Sequence, residues 1–127
     1  MHAFLSVEWF AEVDRLVDLA GDLQIPAAMR AAEINVTIMS PSGEIQAYVK
    51  DGRLSRGHRP DAPTAISLGH QLARKVFVEA DTAAGIQAFL AGELVATGDL
   101  KQLVAMQMEE PSEPQRTLAQ RIAAITC

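Results

Sequence analysis

The sequence predicts an α+β fold: a five-stranded, mostly antiparallel sheet covered on one face by helices. Three observations carry that expectation. The hydrophobic period changes from helical to alternating near Glu33 and returns to helical after Leu68. Strand-like and helix-like stretches segregate along the chain, which favours antiparallel pairing over repeated βαβ units. Asp51-Gly52, set between two extended runs, is a strong hairpin signal because both turn positions favour positive φ.

The elements follow in order. Trp9, Val13, Leu16, Val17 and Ala20 line one face of a first helix, with Ser6 placed to cap it and Glu8 in the first turn. Gly21 and Pro26 end that helix. Residues 27–32 fit either a short helix or an extended lead-in. Ile34, Val36 and Ile38 alternate with Asn35, Thr37 and Met39 in a half-buried strand. Pro41-Ser42-Gly43 turns the chain into a second strand with Ile45, Ala47 and Val49. A third strand is expected from Leu54 to about His58, and Thr64 to Leu68 gives a fourth beyond Pro60 and Pro63.

Leu68, Leu72, Val76 and Ala80 share the i, i+4 spacing of a helix. Asp81 or Thr82 caps the next, whose apolar face is Ile86, Phe89 and Leu90 and which Gly92 stops. Glu93 to Thr97 reads as a fifth strand. Asp99, with Gln102 three residues on, is a capping-box variant that opens a helix carrying Leu100, Leu103, Val104 and Gln107 on one side and Met106 and Met108 near its end. The segment Pro111-Ser112-Glu113-Pro114 breaks it, and Leu118, Ile122 and Ile125 mark a last amphipathic stretch.

A chain of 127 residues fits one domain. Its net charge of −5 argues against nucleic-acid binding and allows at most transient membrane contact. The first twenty residues lack the basic start and apolar core of a secretory signal, and no run is long enough to span a bilayer. With Cys127 the only cysteine, a soluble cytoplasmic protein is expected.

Catalytic and cofactor signatures are missing from the sequence. His2, His58 and His70 have no metal-ligand spacing, and there is no phosphate-binding glycine loop or nucleophile elbow. The expectation is a non-enzyme without cofactor or metal. Lys50, Arg53, Arg56 and Arg59 cluster within ten positions. On a strand, Arg56 and His58 share a face, which suits either recognition of an acidic head group or a solvated sheet edge.

The stretch Ala83 to Gln107 resembles the sterol carrier protein type 2 family. There, a short helix with a buried aromatic leads through a Gly-Lys/Glu-Leu step into a strand ending Thr-Gly-Asn/Asp, then into a final helix. Phe89, Gly92, Leu94, Thr97, Gly98, Asp99, Leu103 and Val104 stand at matching positions, and Thr64-Ala65-Ile66-Ser67-Leu68 looks like the preceding strand. Upstream the likeness is one of order alone. Two departures stand out: Val78-Glu79-Ala80 where the family often has a glycine, and Glu109–Cys127, which extends past the usual final helix.

The resemblance implies an apolar tunnel for sterols, fatty acids, acyl-CoA or phospholipids. One domain over 1–127 is expected, with 109–127 as a C-terminal extension; if that tail packs over the tunnel mouth, ligand access differs from the family's. The implied lining is Leu72, Val76, Ile86, Phe89, Leu90, Leu103 and Met106, with Arg56 (or Arg59) steering an acidic head group. Its partner would be a lipid or fatty acyl ligand. A homodimeric or accessory module with a closed pocket, and a small enzyme using His58 or His70, are the alternatives.

Overall fold

The computed structural model describes residues 1–79 and 81–127, and within them every side chain but those of Thr82 and Gln107. Five strands, β1 (Ile34–Ser40), β2 (Gly43–Lys50), β3 (Arg53–Arg56), β4 (Thr64–Gly69) and β5 (Val95–Gly98), form one sheet in the order β3-β2-β1-β4-β5. The pairings β1–β2, β2–β3 and β4–β5 are antiparallel. The central β1–β4 pair is parallel. The sheet is therefore mixed but mostly antiparallel.

The alternating pattern around Ile34 sorts the sheet into two faces. Ile34, Val36 and Ile38 stand opposite Val49, Ala47 and Ile45 on β2 and Thr64, Ile66 and Leu68 on β4. This face is covered by helices. The other, carrying Asn35, Thr37 and Met39, is half-buried to exposed. The hairpin at Asp51-Gly52 forms as expected, with φ of 52° and 72°.

Six helices follow the sequence pattern, with differences at their ends. In α1 (Val7–Ala20) the Ser6 hydroxyl accepts from the Trp9 N–H, and Trp9, Phe10, Val13 and Leu16 are buried. Residues 27–32 resolve as a short helix, α2 (Ala27–Ala31). Leu68 belongs to β4, so α3 (His70–Phe77) begins later than the i, i+4 stripe suggested. Ala80, the expected last position of that stripe, lies outside the described residues. Asp81 caps α4 (Thr82–Ala91), and Gly92 ends it at φ 80°.

Asp99 caps α5 (Leu100–Met108). The reciprocal half of the expected capping box does not form, because Gln102 has other partners. Its Oε1 accepts from the Glu33 N–H at 3.3 Å, and its Nε2 donates to the Ala31 carbonyl at 3.1 Å. The side chain thereby ties α5 to the lead-in of β1. A complete capping box forms instead at Ser112 and Gln115, opening α6 (Glu113–Ala124).

The larger core cluster joins α1 and α3 to the sheet, and within it Trp9, Ile34, Val36, Ile38 and Leu68 are fully buried. Each contributes about 1.5–3 kcal/mol of transfer free energy. α6 packs on α1, joining Leu118 to Leu16 and Leu23. The Trp9 indole N–H donates to the Thr126 hydroxyl at 2.8 Å, closing that side of the molecule.

Candidate functional site

On its α4–α5 side, the covered face of the sheet is not filled. A cleft of about 500 Å³ lies there, floored by Ile34, Val49, Leu54 and Ile66 and walled by Val76, Phe77, α4 and α5. Such a volume is within the range small-molecule sites use. The helices stand where they do for local reasons. Gly92 stops α4 and Leu94 turns into the buried side, so β5 can pair along β4. Gly98 then holds φ at 90°, and a Cβ there would collide with the Pro63 carbonyl oxygen. The adjacent Asp99 N–H donates to that same carbonyl at 2.9 Å, which pins the start of α5 to β4.

The apolar faces of α4 and α5 are only partly covered. Ile86 is 45% exposed, Phe89 42%, Val104 56%, Leu90 78% and Met108 80%. A helical stripe that simply packed into a core would be buried. These residues instead form the lips of the cleft. Leu103 and Met106 are half-buried and line its inner wall. Met29 from α2 and Pro111, just before α6, border it as well.

Among the sequence candidates, the structure brings Val76, Ile86, Phe89, Leu90, Leu103 and Met106 together around this one space. Leu72 packs against the main core and does not line it. Arg56 is exposed at the end of β3 and is not part of the lining either. Here the strand reading needs correction. β3 ends at Arg56 and Gly57 turns the chain at φ 86°, so His58 does not continue the strand face.

Residues 57–63 cross the opposite face of the sheet to reach β4. His58 Nε2 lies 2.9 Å from the Val36 carbonyl oxygen, and Asn35 and Arg59 exchange two hydrogen bonds of 2.7 and 2.8 Å. The Arg59 guanidinium sits over the Tyr48 ring, 5.5 Å from its centroid. Burial of Tyr48, and then its hydrogen bond to the Glu33 carboxylate, raise the phenol above its usual pKa. These polar groups hold the crossover in place, on the side away from the cleft.

His70, at the start of α3, packs edge-on against Phe4 and does not line the cleft. Among the described residues no three His, Cys, Asp or Glu side chains converge to hold a metal, and no helix is long and apolar enough to cross a membrane.

The residue that inspection of the sequence did not single out is Arg53. It is the one charged residue among the described residues that line the cleft. Its Nη2 pairs with Asp14 on α1. Its Nε is buried and has no hydrogen-bond partner among the described residues. The signal in the sequence was the cluster of four cations, which does not say which one borders the cleft.

α6 does not lie across the cleft. It packs on α1, and of the described residues after α5 only Pro111 reaches the rim. The start of α6 is anchored by the Ser112 hydroxyl, which bonds to the Leu23 carbonyl, and by Gln115 Nε2, 3.7 Å from Met29 Sδ.

The arrangement of sheet, open helical pair and apolar cleft is the α+β fold of sterol carrier protein 2. No family model matches the chain, and no curated protein matches it. Solved structures do. Sterol Carrier Protein 2 Like 2 from Aedes aegypti superposes with a TM-score of 0.57 at 16% identity, covering 80% of this chain and 97% of that one. Sterol Carrier Protein 2 from Yarrowia lipolytica, in its apo form, gives 0.55 at 22% identity, covering 79% and 97%. A UbiJ-SCP2 ubiquinone synthesis protein gives 0.52 at 13% identity and covers 96% of both chains. A palmitated form of the Aedes protein also superposes, with a TM-score of 0.50 at 18% identity, covering 85% of this chain and 99% of that one.

Proposed function

We propose that the protein binds one apolar or amphipathic lipid in the cleft under α4 and α5 and carries it without chemical change. The observation that carries this reading is the apolar lining combined with exposed lips at Ile86, Phe89, Leu90, Val104 and Met108. Exposed apolar surface gathered around a concave floor gains free energy when a chain covers it, at about 0.8 kcal/mol for each methylene buried. Eight to ten methylenes then supply roughly the free energy of micromolar binding. The Aedes structure described as palmitated supports an acyl chain as one occupant. In this reading residues 1–127 act as one unit, in the cytoplasm, and Val76, Ile86, Phe89, Leu90, Leu103 and Met106 contact the ligand. No residue performs covalent chemistry.

The test is extraction and mass spectrometry of lipid from the purified protein, together with displacement of a bound fluorescent fatty acid. Co-purified lipid and saturable one-to-one displacement are expected. Absence of both removes the reading.

A second reading has one observation in its favour. Leu90 and Met108 project beyond the cleft, and such residues also suit a protein partner or a second copy of the chain. The ubiquinone synthesis protein that superposes along nearly the whole chain supports an accessory role of this kind. Light scattering that returns a dimer mass, with no lipid bound, would favour it.

A further inference from the structure

The two helices that flank the cleft are almost without charge along their length and acidic at their ends. Within α4 and α5 the one ionisable residue is Lys101. Asp81 and Glu93 bracket α4, and Asp99, Glu109 and Glu110 bracket α5. Among the described residues one cation answers this set, Arg116, which stands 4.0 Å from Glu110. Arg53, at the cleft border, is paired with Asp14. Between the acidic ends Phe89, Leu90, Val104 and Met108 are exposed, and Met29 and Met106 also line the cleft. Methionine side chains are flexible and polarisable, so a wall that contains them can remodel around apolar anchors of different shape. An apolar groove with carboxylates at its ends complements a helix whose apolar stripe is flanked by lysine or arginine. A bilayer fits less well, because the cytoplasmic leaflet is anionic and these ends repel it.

We infer that the α4–α5 cleft is a docking groove for a basic amphipathic helix of a partner protein. Apolar side chains at i, i+3, i+4 and i+7 of that helix seat between the lips, and its cations meet the carboxylates at the helix ends. The inference rests on the cleft being open and names the partner that the second reading above leaves general. Helix and lipid need the same lips, so each excludes the other.

The probe is a fluorescein-labelled peptide of about fourteen leucine and lysine residues, with the leucines on one helical face. As a helix it is about 21 Å long, enough to reach the carboxylates at both ends of α4, itself about 15 Å. Fluorescence anisotropy on the full chain should show saturable binding that weakens severalfold as salt is raised. Two control peptides should bind at least about tenfold more weakly: one with glutamate for lysine, and one of the same composition with its leucines scattered around the helix. Leu90→Ser should weaken binding about tenfold. Glu93→Gln with Glu109→Gln should weaken it about two- to fivefold. Glu8→Gln with Asp18→Asn, on the exposed acidic face of α1, should change nothing. The peptide should also displace a bound fluorescent fatty acid.

Binding that ignores the leucine pattern, or that the α1 changes weaken as much as the Glu93 and Glu109 pair, is general charge attraction and overturns the inference. Binding to phosphatidylcholine vesicles that is lost in Leu90→Ser, with no peptide binding, assigns the lips to a bilayer and also overturns it. Fatty acid binding without peptide binding removes the inference and leaves the lipid reading standing. Peptide binding without fatty acid binding does the reverse.

Discussion

Replacing Leu90 with serine should leave the fold intact and weaken lipid binding. Burying a whole leucine side chain stabilises by about 1.5–3 kcal/mol. Leu90 is 78% exposed, so only about a fifth of that, roughly 0.5 kcal/mol, is at stake in folding. The remainder becomes available only when a ligand covers the residue. That is up to about 1–2 kcal/mol, or roughly tenfold in Kd. Leu68→Ala is the counterpart, since Leu68 is fully buried between β1 and the helices and should cost about 2–5 kcal/mol of stability. Guanidinium denaturation gives the first quantity and displacement of a fluorescent fatty acid the second. Leu90→Ser with a large loss of stability would refute the claim that α4 is an open lip. Native stability together with unchanged affinity would refute the claim that Leu90 meets the ligand.

Three further outcomes follow from particular contacts. Gly98→Ala should cost more than about 1 kcal/mol, because φ is positive there and the new Cβ meets the Pro63 carbonyl; thermal denaturation checks it. Thr126→Val leaves the buried Trp9 indole N–H without its acceptor and should cost about 1–3 kcal/mol, measured by denaturant unfolding followed on Trp9 fluorescence. Tyr48 is the only tyrosine, so an ultraviolet absorbance titration reads its phenol directly. It should ionise above the ordinary tyrosine value. The stability gained from keeping it neutral is complete below about pH 10 and is lost as pH rises through its folded-state value.

Local pattern carried much of the fold. Ser6 and the Trp9–Leu16 stripe made α1 legible, the Ile34–Ile38 alternation made β1, and Asp51-Gly52 made the hairpin. Each depends on residues a few positions apart. The parallel pairing of β1 with β4 was not legible, because it depends on the crossover at residues 57–63 being held against the far face by Asn35 and the Val36 carbonyl. Gln102 was expected to cap its own helix, but its side chain has distant acceptors and donors that the local motif cannot register. The cleft-lining stripes on α4 and α5 were readable as apolar. Whether they packed shut was not, since an open lip and a core face have the same spacing. Which cation borders the cleft was likewise illegible: strand alternation drew attention to Arg56, whereas Arg53, at the hairpin and paired with Asp14 on α1, is the one that does. The docking of α6 on α1, away from the cleft, rests on Leu118 meeting Leu16 and Leu23 across the chain.

The central claim is that a lipid occupies the space between the sheet and the α4–α5 pair. Backbone amide shifts followed during titration with dodecanoate test it most directly. The account predicts saturable changes concentrated in α4, α5 and the cleft-facing strands, with α1 and α6 changing little. Shifts confined to the α1–α6 side or to the crossover at residues 57–63, or no saturable shifts at all, would contradict it.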